Sequence, residues 1–281
     1  MHGDMDQFWA HLDASMRICD HLRPVARDRP RSRSMINICN FLHVISESTN
    51  WSLVPIPWEE SSPTTLAAVP LFYEDGTLET TYGITAGLAG LISRITRLAQ
   101  TIRYYNMNSI NPPRDLQNAC EHLAIAVESL STDQDAAGIP QDCDEHVRTL
   151  LAEHIDAFAL GIKVYFHISV GSCSEARLDD LVQGIGCKLN VIEEQKKSTE
   201  RRYAKTATIM WPGFIAACEA QQHHRDIWRR WWSDMASYGI GNIAVLWNIV
   251  QEAWSLRDSG SDISPAWLPV LRAKGKFILA V

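Results

Sequence analysis

From Thr85 the chain reads TAGLAGLISRITRLAQTIRYY, with Leu88, Leu91, Ile92, Ile95, Leu98, Ile102 and Tyr105 at three- and four-residue steps. That period gathers apolar side chains on one face of an α-helix and leaves Arg94, Arg97 and Arg103 off it. The rhythm returns in DEHVRTLLAEHIDAFALGIKVYFHISV through Leu150, Leu151, His154, Ile155, Phe158, Ile162 and Tyr165. It returns again in SEARLDDLVQGIGCKLNVIEEQ through Leu178, Leu181, Val182, Ile185, Leu189 and Ile192, behind a candidate N-cap at Ser174. In GIGNIAVLWNIVQEAWSLRD the glycines close one helix, and Leu246, Val250, Ala253 and Trp254 face the core from the next. No alternation of period two lasts long enough for a strand. Stripes of this kind bury themselves only against one another, so the expected fold is all-α, a single irregular multi-helix bundle.

Prolines set the expected boundaries. Those at 24, 30, 55, 57, 63 and 70 cut the first 80 residues into short pieces, which read as an irregular segment wrapping the later helices. Residues 81–258 then form the helical core and 259–281 a C-terminal tail, all within one domain. With 46% hydrophobic and 21% charged residues, a chain of 281 residues has ample material for a large core.

The formal charge of −7 argues against a nucleic-acid-binding surface over the whole chain, because phosphate binding draws on clustered cations. The one local basic run, Arg17 to Arg33, is interrupted by Asp20 and Asp28 and reads as a solvated loop. The 7 cysteines include no C-x-x-C pair, which fits neither a disulfide framework nor a zinc site. There is no signal-peptide pattern and no apolar run near the ~20 residues that span a bilayer. The expected setting is intracellular, nucleus or cytoplasm, with no membrane contact, no cofactor and no metal.

The stretch IMWPGFIAACEAQQHHRDIWRRWWSDM, residues 209–235, concentrates tryptophan, arginine and histidine around Pro212. On a helical wheel Trp228, Trp231, Trp232 and Met235 share one face while Asp226, Arg229 and Arg230 point away, so the stripe reads as core rather than as a platform for bases. Asp226 and Arg230 form an i,i+4 pair.

WPGFIAACEA, a charged-aromatic helix, GIGN and a helix ending in EAW together resemble the fungal-specific transcription factor domain, the C-terminal regulatory domain of zinc-cluster regulators of the arginine-catabolism-regulator type. YEDGTLETTYGITAGLAGLISRITRLAQ and LLAEHIDAFALGIKVYFH are similar to that family's earlier helices, so the likeness covers roughly residues 70–258, in the family's order. Ala217 stands where the family pattern has glycine. The resemblance implies nuclear gene regulation through a protein partner or a second copy of the chain and, in some members, a small hydrophobic effector. It also implies six cysteines near the N-terminus for DNA binding, whereas only Cys19 and Cys39 lie in the first hundred residues. Direct nucleic-acid binding by this chain is therefore not expected. The rival reading is an enzyme of secondary metabolism, a cyclase or isomerase folding a reactive polyketide or terpenoid in a tryptophan-rich pocket.

For either reading the expected cavity is bordered by Trp211, Phe214 and Trp232 and closed by Tyr165 and His167, because Pro212 interrupts regular packing beside large rings. Glu219 and His167, each inside an apolar helical segment, are the candidate acid–base groups, since a buried ionisable side chain must be paired or shifted in pKa. H-E-x-x-H, G-x-S-x-G, P-loop and G-x-G-x-x-G motifs are absent. Asp179 and Asp180 resemble the magnesium-binding pair of terpene cyclases but lack a third acid, and read as helix-start carboxylates. His223 and His224, about 100° apart if helical, are poorly placed to bind one metal.

Overall fold

A computed structural model describes residues 5–26, 28–51, 57–58, 70–130, 139, 144–171, 173–198, 209–261, 263–275 and 277–281. Among them are eleven α-helices, one 3-10 turn and no strand. In chain order these are α1 (Met5–Ala26), α2 (Pro30–Thr49), α3 (Thr77–Tyr82), α4 (Ala86–Asn108), α5 (Arg114–Glu128), α6 (Glu145–Ser169), α7 (Glu175–Ser198), α8 (Trp211–Cys218), α9 (Arg225–Ala236), α10 (Gly241–Asp258) and α11 (Trp267–Lys274). The all-α expectation holds. No helix among the described residues is long and apolar enough to cross a membrane.

The most evenly apolar segment takes the centre. α6 packs against α3, α4, α5, α7 and α8, which is possible only because it buries residues around most of its circumference, from Leu150 and His154 to Val164 and Tyr165. Its N-terminus is capped by Asp144, whose side chain accepts from the His146 N–H. Gly161 lets α8 approach closely, since a Cβ there would sit 3.0 Å from the Pro212 Cβ. On α8, Gly213 serves the same end: a Cβ would lie 2.3 Å from the Trp231 ring. Pro212 stands in the first turn of α8, where its missing N–H costs no helical bond, so it starts a helix rather than kinking one.

The expectation for the first 80 residues needs correcting. α1 and α2 are long helices packed on each other, not short pieces. Pro24 falls in the last turn of α1 and Pro30 at the start of α2, positions that proline tolerates. Pro55 and Pro63 lie outside the described residues. Most of the basic run is therefore helical rather than a loop: Arg17 and Arg23 lie in α1, paired with Asp13 and Asp20, and Arg31 and Arg33 lie in α2, while Asp28 and Arg29 stand between the two helices and Arg27 lies outside the described residues.

The tail is also corrected. Trp267 and Ile278 are buried in the main core, and the Trp267 indole donates to the Thr49 carbonyl at 3.1 Å. Asn50 fastens the end of the chain by pairing its amide side chain with both backbone groups of Ile278. The tryptophan stripe of α9 is core as expected, with Trp228, Trp231, Trp232 and Met235 buried. Asp226, however, pairs with Arg229 at 2.6 Å instead of Arg230.

Candidate functional site

Pro212 and Gly213 bring α8 directly onto α6 and α9, and three of the expected site residues meet there. Tyr165 lies edge-on to Trp211 at 5.5 Å between ring centroids, and Phe214 lies 5.7 Å from Trp267, which stacks on Tyr165 at 6.5 Å. All four are buried. Their polar atoms are satisfied internally. The Tyr165 hydroxyl donates to the Ser48 carbonyl at 3.1 Å, accepts from the Trp51 indole at 3.0 Å and lies 3.0 Å from Thr96 Oγ1. The Trp211 indole donates to Ser48 Oγ at 2.8 Å. Burial pushes the Tyr165 phenol well above its ordinary range, so it remains a neutral donor.

The remaining candidates lie elsewhere. Trp232 stacks on Trp247 at 5.6 Å, one layer away. His167, two residues beyond Tyr165, emerges on another face of α6 and lines an open groove of about 490 Å³ with Cys120, Glu128, Cys173 and Arg177. Its Nε2 lies 3.1 Å from Glu128, which is also bound by Arg177. Burial lowers the His167 pKa, and Glu128 opposes that shift. Glu219 terminates α8, where its carboxylate accepts from Arg257 at 2.7 Å and from the Ala266 N–H at 2.8 Å. Burial raises its pKa, against the pull of Arg257 and Ala266. It clasps the ends of α8 and α10 to the entry of α11 and has no part in the Tyr165–Trp211 ring cluster. Neither acid–base candidate shares a site with those rings among the described residues, so the enzyme reading finds no assembled centre there.

A cavity beside the ring cluster has a different lining. Asn50, Trp51, Leu268, Leu271, Arg272 and Phe277 border an apolar space of about 370 Å³. Trp51 joins it to the cluster: its ring forms a wall while its indole N–H is held by Tyr165. Arg272 supplies a cation to the lining, and a second guanidinium, Arg103, stands close enough that Arg272 adds to the lowering of its pKa. Burial is the larger cause of the lowered Arg103 pKa, and its Nη1 is buried without a hydrogen-bond partner among the described residues. The sequence reading missed this pocket. Trp51 sits among prolines and Arg272 in an assumed tail, and only the return of 267–281 to α2 joins them. Its one sequence signal is a tryptophan in a segment without helical period.

A third group also escaped the sequence reading. Asp179, near the start of α7, lies 3.1 Å from His223 Nε2 and 3.2 Å from His224 Nε2 through the same oxygen, Oδ2. The two histidines occupy a 3-10 turn, Gln222–His224, not an α-helix. The expectation that they are poorly placed to bind one metal rested on α-helical geometry, which this turn does not have.

The model of the family described as fungal specific transcription factor domain matches residues 1–280. Arginine metabolism regulation protein II of Saccharomyces cerevisiae (strain ATCC 204508 / S288c) is 23% identical over 180 residues, covering 63% of this chain and 20% of that protein. The chain thus spans a small part of this relative's length. No solved structure matches.

Proposed function

Because the chain belongs to the fungal specific transcription factor domain family, we propose that it is the regulatory part of a transcription regulator working in the nucleus. The match over residues 1–280 carries this reading, and the name of the yeast relative, a regulation protein, agrees with it. Contact with DNA falls to a segment or partner outside these 281 residues, because the acidic balance and the absence of a cysteine cluster leave no means for it here.

The regulating signal is a small hydrophobic anion held in the pocket of Trp51, Leu268, Leu271 and Phe277, with its charge toward Arg272. Apolar walls with one or two convergent polar groups are what such sites need, and the crowding of Arg103 against Arg272 is relieved by an anion between them. Occupation would be felt through Trp51 by Tyr165 and so by α6, on which five other helices pack. Trp211, Phe214 and Tyr165 then support the pocket from behind instead of touching the ligand, and Trp232 lies further off.

Native mass spectrometry of the purified chain, followed by extraction, tests this. A co-purifying acid should be lost from Arg272→Leu and Trp51→Ala, while a fusion of the chain to a foreign DNA-binding domain should switch a reporter only with the pocket intact. A reporter that never responds to the chain overturns the regulatory reading. A ligand retained by both variants overturns the assignment of the pocket.

A further inference from the structure

We propose that Asp179, His223 and His224 form a binding site for a divalent transition metal ion, zinc or a neighbour of similar ligand preference. The three come from two elements 44 residues apart in sequence, α7 and the 3-10 turn ahead of α9, so their convergence is tertiary. One ligand atom from each of the three lies within 4.8 Å of the others. Imidazole nitrogen and carboxylate oxygen bind zinc at about 2.0–2.2 Å, which places ligand atoms of a tetrahedral ion roughly 3.3 Å apart. The two nitrogen-to-oxygen separations, 3.1 and 3.2 Å, are close to that edge.

Hydrogen bonding alone serves this group poorly. Both rings address Oδ2, while Asp179 Oδ1 is buried with no hydrogen-bond partner among the described residues. The ring centroids are 4.0 Å apart, so two imidazoles crowd around one carboxylate oxygen. A cation in place of the two protons satisfies both nitrogens and neutralises the carboxylate at once. Two imidazoles and one carboxylate select zinc, copper or nickel over magnesium and calcium, which require more oxygen.

Exposure then sets the character of the site. The His224 and Asp179 side chains are 17% and 18% exposed and His223 is 66% exposed, so solvent reaches the group from the His223 side. Such an ion exchanges readily and can accept a ligand from water or from another protein. It also ties α7 to the turn that follows Glu219. A neighbouring bond, from the Gln221 amide to Glu175 at 2.8 Å, already draws the same two elements together.

The test uses cobalt(II) and zinc chloride on the full chain after chelator treatment and dialysis. Cobalt should give visible bands of a four-coordinate nitrogen and oxygen set without thiolate charge-transfer bands, at one ion per chain. Zinc should displace it and raise the melting temperature in step with its concentration. His224→Gln and Asp179→Asn, checked for unchanged circular dichroism, should each bind at least about tenfold more weakly. Binding equal in the variants and the parent, thiolate bands that place the ion on the cysteines, or no binding at micromolar metal would each overturn the assignment.

Discussion

His154 offers a direct test of how tightly α6 is enclosed. It lies on the inner face of that helix, 3% exposed, and its Nε2 has no hydrogen-bond partner among the described residues. The backbone of Gly83, in the left-handed region at φ +67°, runs so close that a Cβ there would come within 2.5 Å of the His154 Cβ. Burial pushes the imidazole pKa down to about 3, and the Lys196 ammonium adds to the shift. The unfolded chain titrates near ~6.5. The folded state therefore binds the proton less readily than the unfolded state, so this contribution to stability is whole above about pH 6.5 and is lost progressively as pH falls toward 3. Between pH 7 and pH 5 the linkage amounts to about 2 kcal/mol, as each unit of difference is worth ~1.4 kcal/mol. Urea unfolding of the parent and of His154→Leu at the two pH values measures it. Leucine keeps most of the volume and cannot titrate, so the pH-dependent loss should shrink by about 2 kcal/mol in the variant, while other groups cancel in the comparison. An equal loss in both proteins would mean that His154 is not held neutral by the fold.

Four further substitutions, at three positions, probe the contacts around α8. Trp211→Ala removes a fully buried ring and should cost about 3–5 kcal/mol in chemical denaturation, with most of the melting transition lost; a near-neutral change would reveal an unpacked space at Trp211. Gly213→Ala drives a methyl into the Trp231 ring and should destabilise by about 1–3 kcal/mol, with a changed near-ultraviolet tryptophan signal. Glu219→Ala leaves Arg257 and the Ala266 N–H without their acceptor and should cost about 3 kcal/mol, whereas Glu219→Gln, which retains an acceptor, should cost less and leave any reporter output intact at permissive temperature.

Local pattern was enough wherever a helix had a single wet face. The stripes of α4, α6, α7, α9 and α10 were legible because a 3.6-residue period survives any arrangement that buries the apolar side opposite it. The pattern failed at proline. Pro24 and Pro30 were read as breaks, yet proline is harmless in the last turn of one helix and the first of the next, and only the run of the flanking residues distinguishes the cases.

Sequence alone determined the helical class, the buried tryptophan stripe and the family likeness, all of which depend on neighbours within one or two turns. Which polar residues meet was decided by tertiary structure. Glu219 reached Arg257, Trp51 reached Tyr165, Arg272 came to border a pocket with Asn50, and Asp179 came between two histidines more than 40 residues away. Helical periodicity fixes the face on which a side chain lies and leaves open which face of which other helix will cover it. That choice is made by the close approaches at Gly161 and Gly213 and by the return of the chain's last residues to α2, contacts that no local window of sequence contains.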